Sequence, residues 1–365
     1  MTVQKTGSVV EAFFILLRAG LWEKEPDSLS VFPLARNEWE DLFAMARKQT
    51  VTALVYHGIC MLPEKFFPPQ DVLLKWVSAV DVIERLNARM NKYLDELYGV
   101  FVQNGLEPVL QKGQGVASFY REPLSRECGD IDLYFPRKGE MQKAIDVVRR
   151  HGGKVSAMPD GSYNFRFRNT DVEIHPFLVD VCNPFKRKYI NEIEKSSGYI
   201  KMCLKGCKNE ITVPSPFVNL LLLNTHILKH ALGWGIGVRQ LCDMAMACHS
   251  LNGSYSKEDM KYYCKKLGIY RWTQLLNAFL VDFIGLDENN MLFGKREKSA
   301  VELEKIIIEG GNFGMERDGR QPEGKSKVRA KLNTMRSFCN NIGFSFKYAP
   351  AEGLWTFAGL VKGQL

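Results

Sequence analysis

The sequence predicts an α+β fold, in which a small mixed β-sheet is flanked by helical regions earlier and later in the chain. Apolar residues recur at helical spacing up to residue 104 and again after residue 181. Between them, short apolar or alternating runs are bounded by turn-forming residues, which is typical of strands. We therefore divide the chain into an N-terminal helical region (1–104), an α/β core (105–180) and a C-terminal helical region (181–365).

The N-terminal region contains three short helical patterns and one long one. The short patterns cover Val9–Leu21, Trp39–Ala46 and Val51–Met61. Prolines then interrupt the chain before a helix predicted from about residue 71 to residue 103. The apolar stripe predicted to bury this helix consists of Leu74, Val77, Val80, Ile83, Leu86 and Met90. We expect the region to pack on the core and to carry no chemistry.

The central and C-terminal elements follow from the same patterns. In the core we predict strands near 108–112, 131–135, 154–157, 163–168 and 172–177, with helices at 114–120 and 139–151. In the C-terminal region we predict helices at 216–230, 238–249, 257–267 and 272–283, a polar glycine-rich loop from 309 to about 324, and a basic helix at 325–336.

The composition limits the class of protein. The chain has 365 residues, of which 45% are hydrophobic and 25% are charged, as in ordinary globular proteins. The net charge of +8 suits a polyanionic ligand such as a nucleoside triphosphate (NTP), but it is too diffuse to indicate nucleic acid. No apolar run is long enough to span a membrane. The nine cysteines lack the spacing of zinc sites, so we do not expect zinc. Their odd number and the lack of a signal-peptide pattern favour a reducing compartment, so we expect a cytoplasmic protein.

The motif Asp130-Ile131-Asp132 is the most informative part of the sequence. Carboxylates two residues apart on a strand point to the same face. Like charges held together need a cation between them, and oxygen ligands suit Mg²⁺. The alternative is that the two aspartates lie on a solvated strand face, where this short pattern also occurs.

Two further segments support the interpretation of Asp130 and Asp132 as part of a metal site. Lys112-Gly113 follows an apolar strand and precedes a helical pattern, so its backbone N–H groups and its lysine suit a phosphate, although an ordinary turn has the same pattern. Downstream, two alternating stretches flank Asn169-Thr170 and predict a hairpin. Its second strand carries Glu173 and His175 on one face, which makes Glu173 a candidate third carboxylate. A half-solvated strand would have the same alternation.

The order of these parts resembles the nucleotidyltransferase superfamily of the DNA polymerase beta type. More narrowly, Leu110–Tyr120, Arg126–Phe135 and Val172–His175 resemble the uncharacterised nucleotidyltransferase family of bacterial proteins. The tail is similar as well. It contains His226 and His230, followed by Arg239-Gln240-Leu241-Cys242-Asp243. The resemblance implies a small mixed-sheet nucleotidyltransferase core.

The resemblance also implies a ligand set. Asp130, Asp132 and Glu173 would hold two Mg²⁺ ions, with Mn²⁺ as an alternative, and Glu173 would help to activate an acceptor hydroxyl. The NTP would contact residues of the turn and of the tail: Lys112, Gly113, Gln114, Arg126, His226, His230, Arg239 and Asp243. In this sequence Gln114 stands where the superfamily usually has serine or glycine.

Several of these residues have other interpretations. His226 and His230 lie one helical turn apart and would need a third ligand such as His175 to bind zinc. Arg126 is near enough in sequence to pair with Glu122 or Glu127. Arg239 and Asp243 have the spacing of a surface ion pair.

Our leading interpretation is an enzyme that moves a nucleoside monophosphate from an NTP to an unknown acceptor hydroxyl or phosphate. The alternative is a non-catalytic nucleotide-binding protein or a toxin–antitoxin-like interaction protein. The sequence leaves the acceptor and the oligomeric state open.

Overall fold

The computed structural model describes residues 2–232, 235–310 and 342–362. Most of the predicted glycine-rich loop, from residue 311, and the whole predicted basic helix at 325–336 lie outside the described residues. None of the described helices is both long enough and apolar enough to cross a bilayer.

The α+β class is confirmed. The N-terminal helices are α1 (Thr2–Trp22), α2 (Arg36–Lys48), α3 (Thr52–Cys60) and α4 (Gln70–Gln103). The central elements are β1 (Val109–Leu110), α5 (Gln114–Ala117), β2 (Ile131–Tyr134), α6 (Glu140–Arg150), β3 (Ser156–Ala157), β4 (Tyr163–Phe167) and β5 (Thr170–His175). The later elements are α7 (Arg187–Ser197), β6 (Tyr199–Cys203), β7 (Glu210–Pro214), α8 (Pro216–Leu232), α9 (Val238–Ser250), α10 (Lys257–Leu267), α11 (Tyr270–Asp282), α12 (Val301–Gly310), α13 (Ile342–Tyr348) and α14 (Pro350–Lys362).

The main sheet has five strands in the order β1-β2-β5-β4-β3. The central pair, β2 and β5, is parallel, and the other pairs are antiparallel. Ile131 and Leu133 of β2, and Val172 and Ile174 of β5, are buried in the core beneath the sheet. The opposite face of the same two strands therefore carries the acidic side chains.

Strands β6 and β7 form a separate antiparallel hairpin that the sequence analysis missed. Ile200, Lys201 and Cys203 of β6 are exposed, so this strand lacks the apolar alternation that signals a half-buried strand. Ile211 and Val213 of β7 are buried in the core beneath the main sheet. The hairpin thus extends the α/β core beyond its five strands.

Two hydrophobic cores meet along α4. The larger core combines α1–α3 with the later helices α8–α12, and the smaller core lies beneath the main sheet. Helix α4 contributes Val72 and Trp76 to the larger core and Leu94 and Phe101 to the smaller one. This helix therefore connects the all-helical part of the molecule to the sheet.

The predicted apolar stripe of α4 is wrong at three of its six positions. Leu74, Val77 and Leu86 are exposed by 58%, 41% and 46%. Each step of three residues falls about 60° short of a full turn, so a stripe built mainly from such steps drifts around the helix. The buried face instead follows steps of three, four and seven residues and consists of Val72, Trp76, Val80, Asn87, Asn91, Leu94, Leu97, Tyr98 and Phe101.

Helices α1 and α3 approach each other closely through glycine. A Cβ atom at Gly20 would lie 1.9 Å from the carbonyl oxygen of Leu54, and one at Gly58 would lie 1.9 Å from that of Leu16. Both positions therefore require the absence of a side chain. Gly7, near the other end of α1, has nothing within 4 Å of its Cβ position.

Candidate functional site

Asp132 and Glu173 lie side by side on the parallel strands β2 and β5. The register pairs Asp132 with Glu173 and Tyr134 with His175. Because the side-chain period of a strand is two residues, Asp132, Glu173 and His175 share the face opposite the buried core. The predicted convergence of a carboxylate from each strand is present in the fold.

Two basic groups contact Asp132, which is 5% exposed. His175 Nε2 lies 2.7 Å from Asp132 Oδ1, and the Nζ atom of Lys112 lies 3.2 Å from the same oxygen. Burial alone would raise the pKa of Asp132, but the lysine charge and the histidine hydrogen bond outweigh burial and hold it well below its usual value. Asp132 is therefore a carboxylate at neutral pH.

Asp130 precedes β2 and lies near two other negative charges. The negative charge of Asp132, together with burial, raises the pKa of Asp130 from 3.8 to about 6. The charge of Glu173 acts in the same direction. A cation among these groups would relieve this repulsion, so the charge distribution fits a metal ion.

The described residues contain one group with the spacing of a metal site. One ligand atom each from Asp132, Glu173 and His175 lies within 4.8 Å of the others. His175 therefore joins the group that the sequence predicts from Asp130, Asp132 and Glu173. The alternation of β5 carried this signal, because it places His175 on the face of Glu173.

The predicted phosphate turn is present, although its helix is shorter than predicted. Gly113 has a φ of 58°, a conformation that favours glycine. It precedes α5, which covers only Gln114–Ala117 instead of reaching Tyr120. A single turn has little helix dipole, so Lys112 is the main source of positive charge here. Gln114 is 3% exposed, and neither of its amide atoms has a hydrogen-bond partner in the described part of the chain.

Arg126 and Asp243 form a buried ion pair that links the core to α9. Arg126 Nε donates to Asp243 Oδ1 at 3.0 Å, and Nη2 donates to Oδ2 at 2.6 Å. The hydroxyl of Tyr120 donates to the same carboxylate at 2.9 Å. Arg126 therefore pairs with neither Glu122 nor Glu127, and Asp243 does not form a surface pair with Arg239.

Two more side chains hold the segment that leads into Asp130. Arg239 Nη1 donates to the carbonyl of Glu127 at 2.7 Å. Asn87 of α4 donates to the carbonyls of Leu124 and Arg126 at 2.6 and 2.8 Å. Asn87 was not predicted, because only apolar residues of α4 were considered for its buried face. The spacing of Asn87 from the buried residues Asn91 and Val80 nevertheless fits that face.

His226 and His230 lie together on α8, with ring centroids 4.4 Å apart. Burial, and then the nearby positive charge of Lys112, lowers the pKa of both, and that of His230 falls to about 3. The two rings are therefore neutral at pH 7. They can exchange hydrogen bonds with a ligand but do not supply positive charge.

A cavity of about 930 Å³ brings most of these groups together. The predicted site residues that line it are Lys112, Gly113, Arg126, Asp130, Asp132, Glu173, His226, His230, Arg239 and Asp243. Gln114 is the predicted contact that is not among the lining residues. The Gln114 side chain is buried away from the cavity, so its amide does not contact the space in which a ligand would bind.

Comparison with protein families shows which family the chain belongs to. The family described as "Uncharacterised nucleotidyltransferase" matches residues 35–283, which is more than half of the chain. The chain belongs to this family. The resemblance predicted from the sequence motifs is thereby confirmed at the level of the family.

The chain also matches a solved structure. It is similar to an antigenic nucleotidyltransferase-like protein from Paracoccidioides brasiliensis, with 15% identity and a TM-score of 0.33. That match covers 60% of this chain and 96% of the other. No curated protein sequence matches the chain.

Proposed function

We propose that this protein is a metal-dependent enzyme that transfers a nucleoside monophosphate from an NTP to an acceptor hydroxyl or phosphate. The observation that carries the proposal is the pairing of Asp132 with Glu173 on adjacent parallel strands, beside Asp130 and within the cavity. The family supplies the class of reaction.

The acidic cluster suits divalent cations, and Mg²⁺ is the ion we propose. Carboxylate oxygens are the ligands Mg²⁺ prefers, while the His175 nitrogen is also compatible with Mn²⁺. Asp130, Asp132 and Glu173 would hold two ions, with His175 beside them. When bound, the ions supply positive charge that offsets the charge of the triphosphate and lowers the pKa of an attacking hydroxyl.

The remaining residues of the cavity bind and orient the substrates. The ammonium of Lys112 suits the β- and γ-phosphates, beside the Gly113 turn. Arg239 lines the cavity, and its Nε has no acceptor within the described residues, so we assign the Arg239 charge to an anion in the cavity. The neutral rings of His226 and His230 can accept or donate hydrogen bonds.

The transfer itself is a substitution at the α-phosphorus. The acceptor oxygen forms a bond to the α-phosphorus, the bond from that atom to the bridging oxygen breaks, and pyrophosphate leaves. Where the acceptor is a hydroxyl, we assign its proton to a Glu173 carboxylate oxygen, because Glu173 lies beside Asp132 in the register and Lys112 contacts Asp132 instead. Positioning and electrostatics then supply most of the rate enhancement.

The test is a double substitution, Asp130→Asn with Asp132→Asn. We expect pyrophosphate release to fall by at least about 100-fold, because the charge that holds the ions is removed. Mg²⁺-dependent NTP binding, measured as a rise in unfolding temperature, should also be lost. Asp171→Asn is the matched control, because Asp171 lies on β5, the strand of Glu173, but is exposed and pairs with Arg166 at 3.0 Å. A double variant with full activity would show that the metal assignment is wrong.

A non-catalytic nucleotide-binding protein, or a toxin–antitoxin-like partner, is the second candidate. It is favoured by one observation, the contact of both Lys112 and His175 with Asp132 Oδ1, which neutralises the carboxylate without a metal. Incubation with labelled NTP separates the two functions. Binding without pyrophosphate release or labelled product favours the second candidate.

A further inference from the structure

The cavity continues from the acidic cluster to an aromatic opening. Phe177 follows β5 by two residues and lines the cavity together with Arg187 and Trp355. The guanidinium carbon of Arg187 lies 3.3 Å from the centre of the Phe177 ring, so the cation stacks on it. The aromatic side of the cavity thus begins two residues beyond the strand that carries Glu173.

An exposed aromatic ring extends this opening to the outer surface. Phe185 is 72% exposed, and its ring packs edge-on against Trp355 with centroids 5.7 Å apart. A single exposed apolar side chain is ordinary, but Phe185 contacts Trp355, which lines the cavity. Phe185 therefore joins the outer surface to the aromatic part of the cavity.

Positive charge surrounds Phe185 on the outer surface. Lys186 follows it, and its Nζ donates to the carbonyl of Lys266 at 2.6 Å, which joins the segment before α7 to the end of α10. Lysines here lie over tyrosine rings at 4.9 to 5.7 Å. These pairs are Lys186 with Tyr189, Lys188 with Tyr189, Lys265 with Tyr270 and Lys266 with Tyr262. We call Phe185, Lys186, Lys188, Tyr262, Lys265 and Lys266 the basic–aromatic surface.

Acidic groups lie farther along the same helices. Glu192 is about one turn beyond Lys188 on α7, and Asp259 is about two turns before Lys266 on α10. Both lie near Tyr263. On α7 and α10 the lysines of this surface therefore lie apart from the acidic groups, at the two helix ends that the Lys186–Lys266 contact joins.

We propose that the acceptor is the end of a single-stranded polynucleotide, whose bases stack on Phe185 and Trp355 while its phosphates contact the lysines of the basic–aromatic surface. The inference rests on the proposed function, because it names the acceptor of the same site. Cations interleaved with exposed rings match alternating phosphates and unstacked bases. An acidic peptide would use the cations but not the rings, and a duplex would hide the faces of its bases.

The experiment measures binding of a fluorescent oligonucleotide of about 12 residues to the full chain by anisotropy. RNA and DNA versions identify the polynucleotide, and a duplex of the same sequence tests the need for single strands. We expect Phe185→Ala to weaken binding about 10-fold, the effect of losing one stacked base. Lys188→Ala should lower the slope of log affinity against log salt by about 0.7, the effect of one phosphate contact.

The chain offers matched controls for both substitutions. Lys65 is exposed and lies 4.9 Å from the Phe66 ring, the same distance that separates Lys188 from Tyr189, but it belongs to the N-terminal region. Leu74 is 58% exposed on α4 and controls for loss of an exposed apolar side chain. Lys65→Ala and Leu74→Ala should leave affinity and salt slope unchanged.

Two results would overturn the inference. The first is no binding of RNA or DNA at about 50 mM salt, and the second is an equal effect of Lys65→Ala and Lys188→Ala. Mg²⁺-dependent NTP binding, measured in parallel, separates this failure from failure of the proposed function. NTP binding without oligonucleotide binding rejects only the polynucleotide acceptor. Oligonucleotide binding without NTP binding rejects the transferase and, with it, the acceptor role.

Discussion

Arg126 and Asp243 are 117 residues apart in the sequence, yet they form one bidentate ion pair. Their side chains are only 6% and 3% exposed. Both residues were predicted to contact the NTP, and the alternatives paired each of them with a residue nearby in sequence, because sequence spacing does not show which distant charges meet. In the structure the pair fastens α9 to the segment that leads into Asp130.

We expect Asp243→Asn to destabilise the fold by about 3–5 kcal/mol, because it leaves the Arg126 charge buried without a counter-charge. Urea unfolding measures the loss. The exposed pair Arg166–Asp171, with side chains 69% and 70% exposed, provides the control. Asp171→Asn should change stability by less than about 1 kcal/mol.

Replacing both partners distinguishes a missing charge from a missing contact. Arg126→Met combined with Asp243→Leu should be less destabilising than Asp243→Asn alone, since no charge stays buried without a partner. Equal losses for Asp243→Asn and Asp171→Asn would contradict this account.

Single elements show where local patterns mislead. The strands β2 and β5 have strict alternation, and their predicted acidic face is present. Helix α5 ends at Ala117 and β6 lacks a buried face, because tertiary contacts determine the lengths of such short elements. The error in α4 has another origin. Its buried face includes two asparagines, and the apolar pattern alone therefore selected three exposed residues, Leu74, Val77 and Leu86, beside the buried Val80.

The glycines between α1 and α3 give a prediction at the scale of helix packing. Gly20→Ala should destabilise the protein by roughly 1–3 kcal/mol, because the new methyl group would overlap the Leu54 carbonyl oxygen and force the helices apart. Gly7→Ala, in the same helix, should instead be neutral or stabilise by up to about 1 kcal/mol through helix propensity. Thermal or urea unfolding of both variants measures the difference. Equal effects would show that α1 and α3 do not approach as closely as described.

At the scale of the whole molecule, burial of His230 in the cavity wall makes the stability of the fold depend on pH. Burial, followed by the charges of Lys112 and Lys229, lowers the pKa of His230 to about 3. The unfolded chain has a histidine pKa of about 6.5. Between these values the unfolded state binds a proton that the folded state does not bind. Stability is therefore lost as the pH falls below about 6.5.

We expect the free energy of unfolding of the wild type to fall more steeply with decreasing pH than that of His230→Gln. The difference should approach about 1.4 kcal/mol per pH unit between pH 6 and about 4. Asp130, with its pKa raised to about 6, makes the folded state more stable as the pH falls, which opposes the effect of His230. Because Asp130 is present in both proteins, its contribution cancels in the comparison. Urea unfolding at several pH values checks the prediction, and parallel curves would contradict it.

The whole molecule also shows how far sequence reasoning extends. The family and the mixed sheet could be predicted because Lys112-Gly113, Asp130-x-Asp132 and Glu173 are local patterns with a chemical reason. The shared core of α1–α3 with α8–α12 could not, since apolar periodicity shows which face of a helix is buried but not against which partner. The aromatic opening at Phe185 and Trp355 was missed for the same reason.

The parallel register of β2 and β5 has a last consequence for how the acidic group is assembled. A slip of one residue would place Val172 or Ile174 beside Asp132 and would turn both Glu173 and His175 into the hydrophobic interior. A state with only one of these two side chains beside Asp132 is not accessible through such a slip. Correct strand alignment therefore brings Glu173 and His175 to Asp132 together.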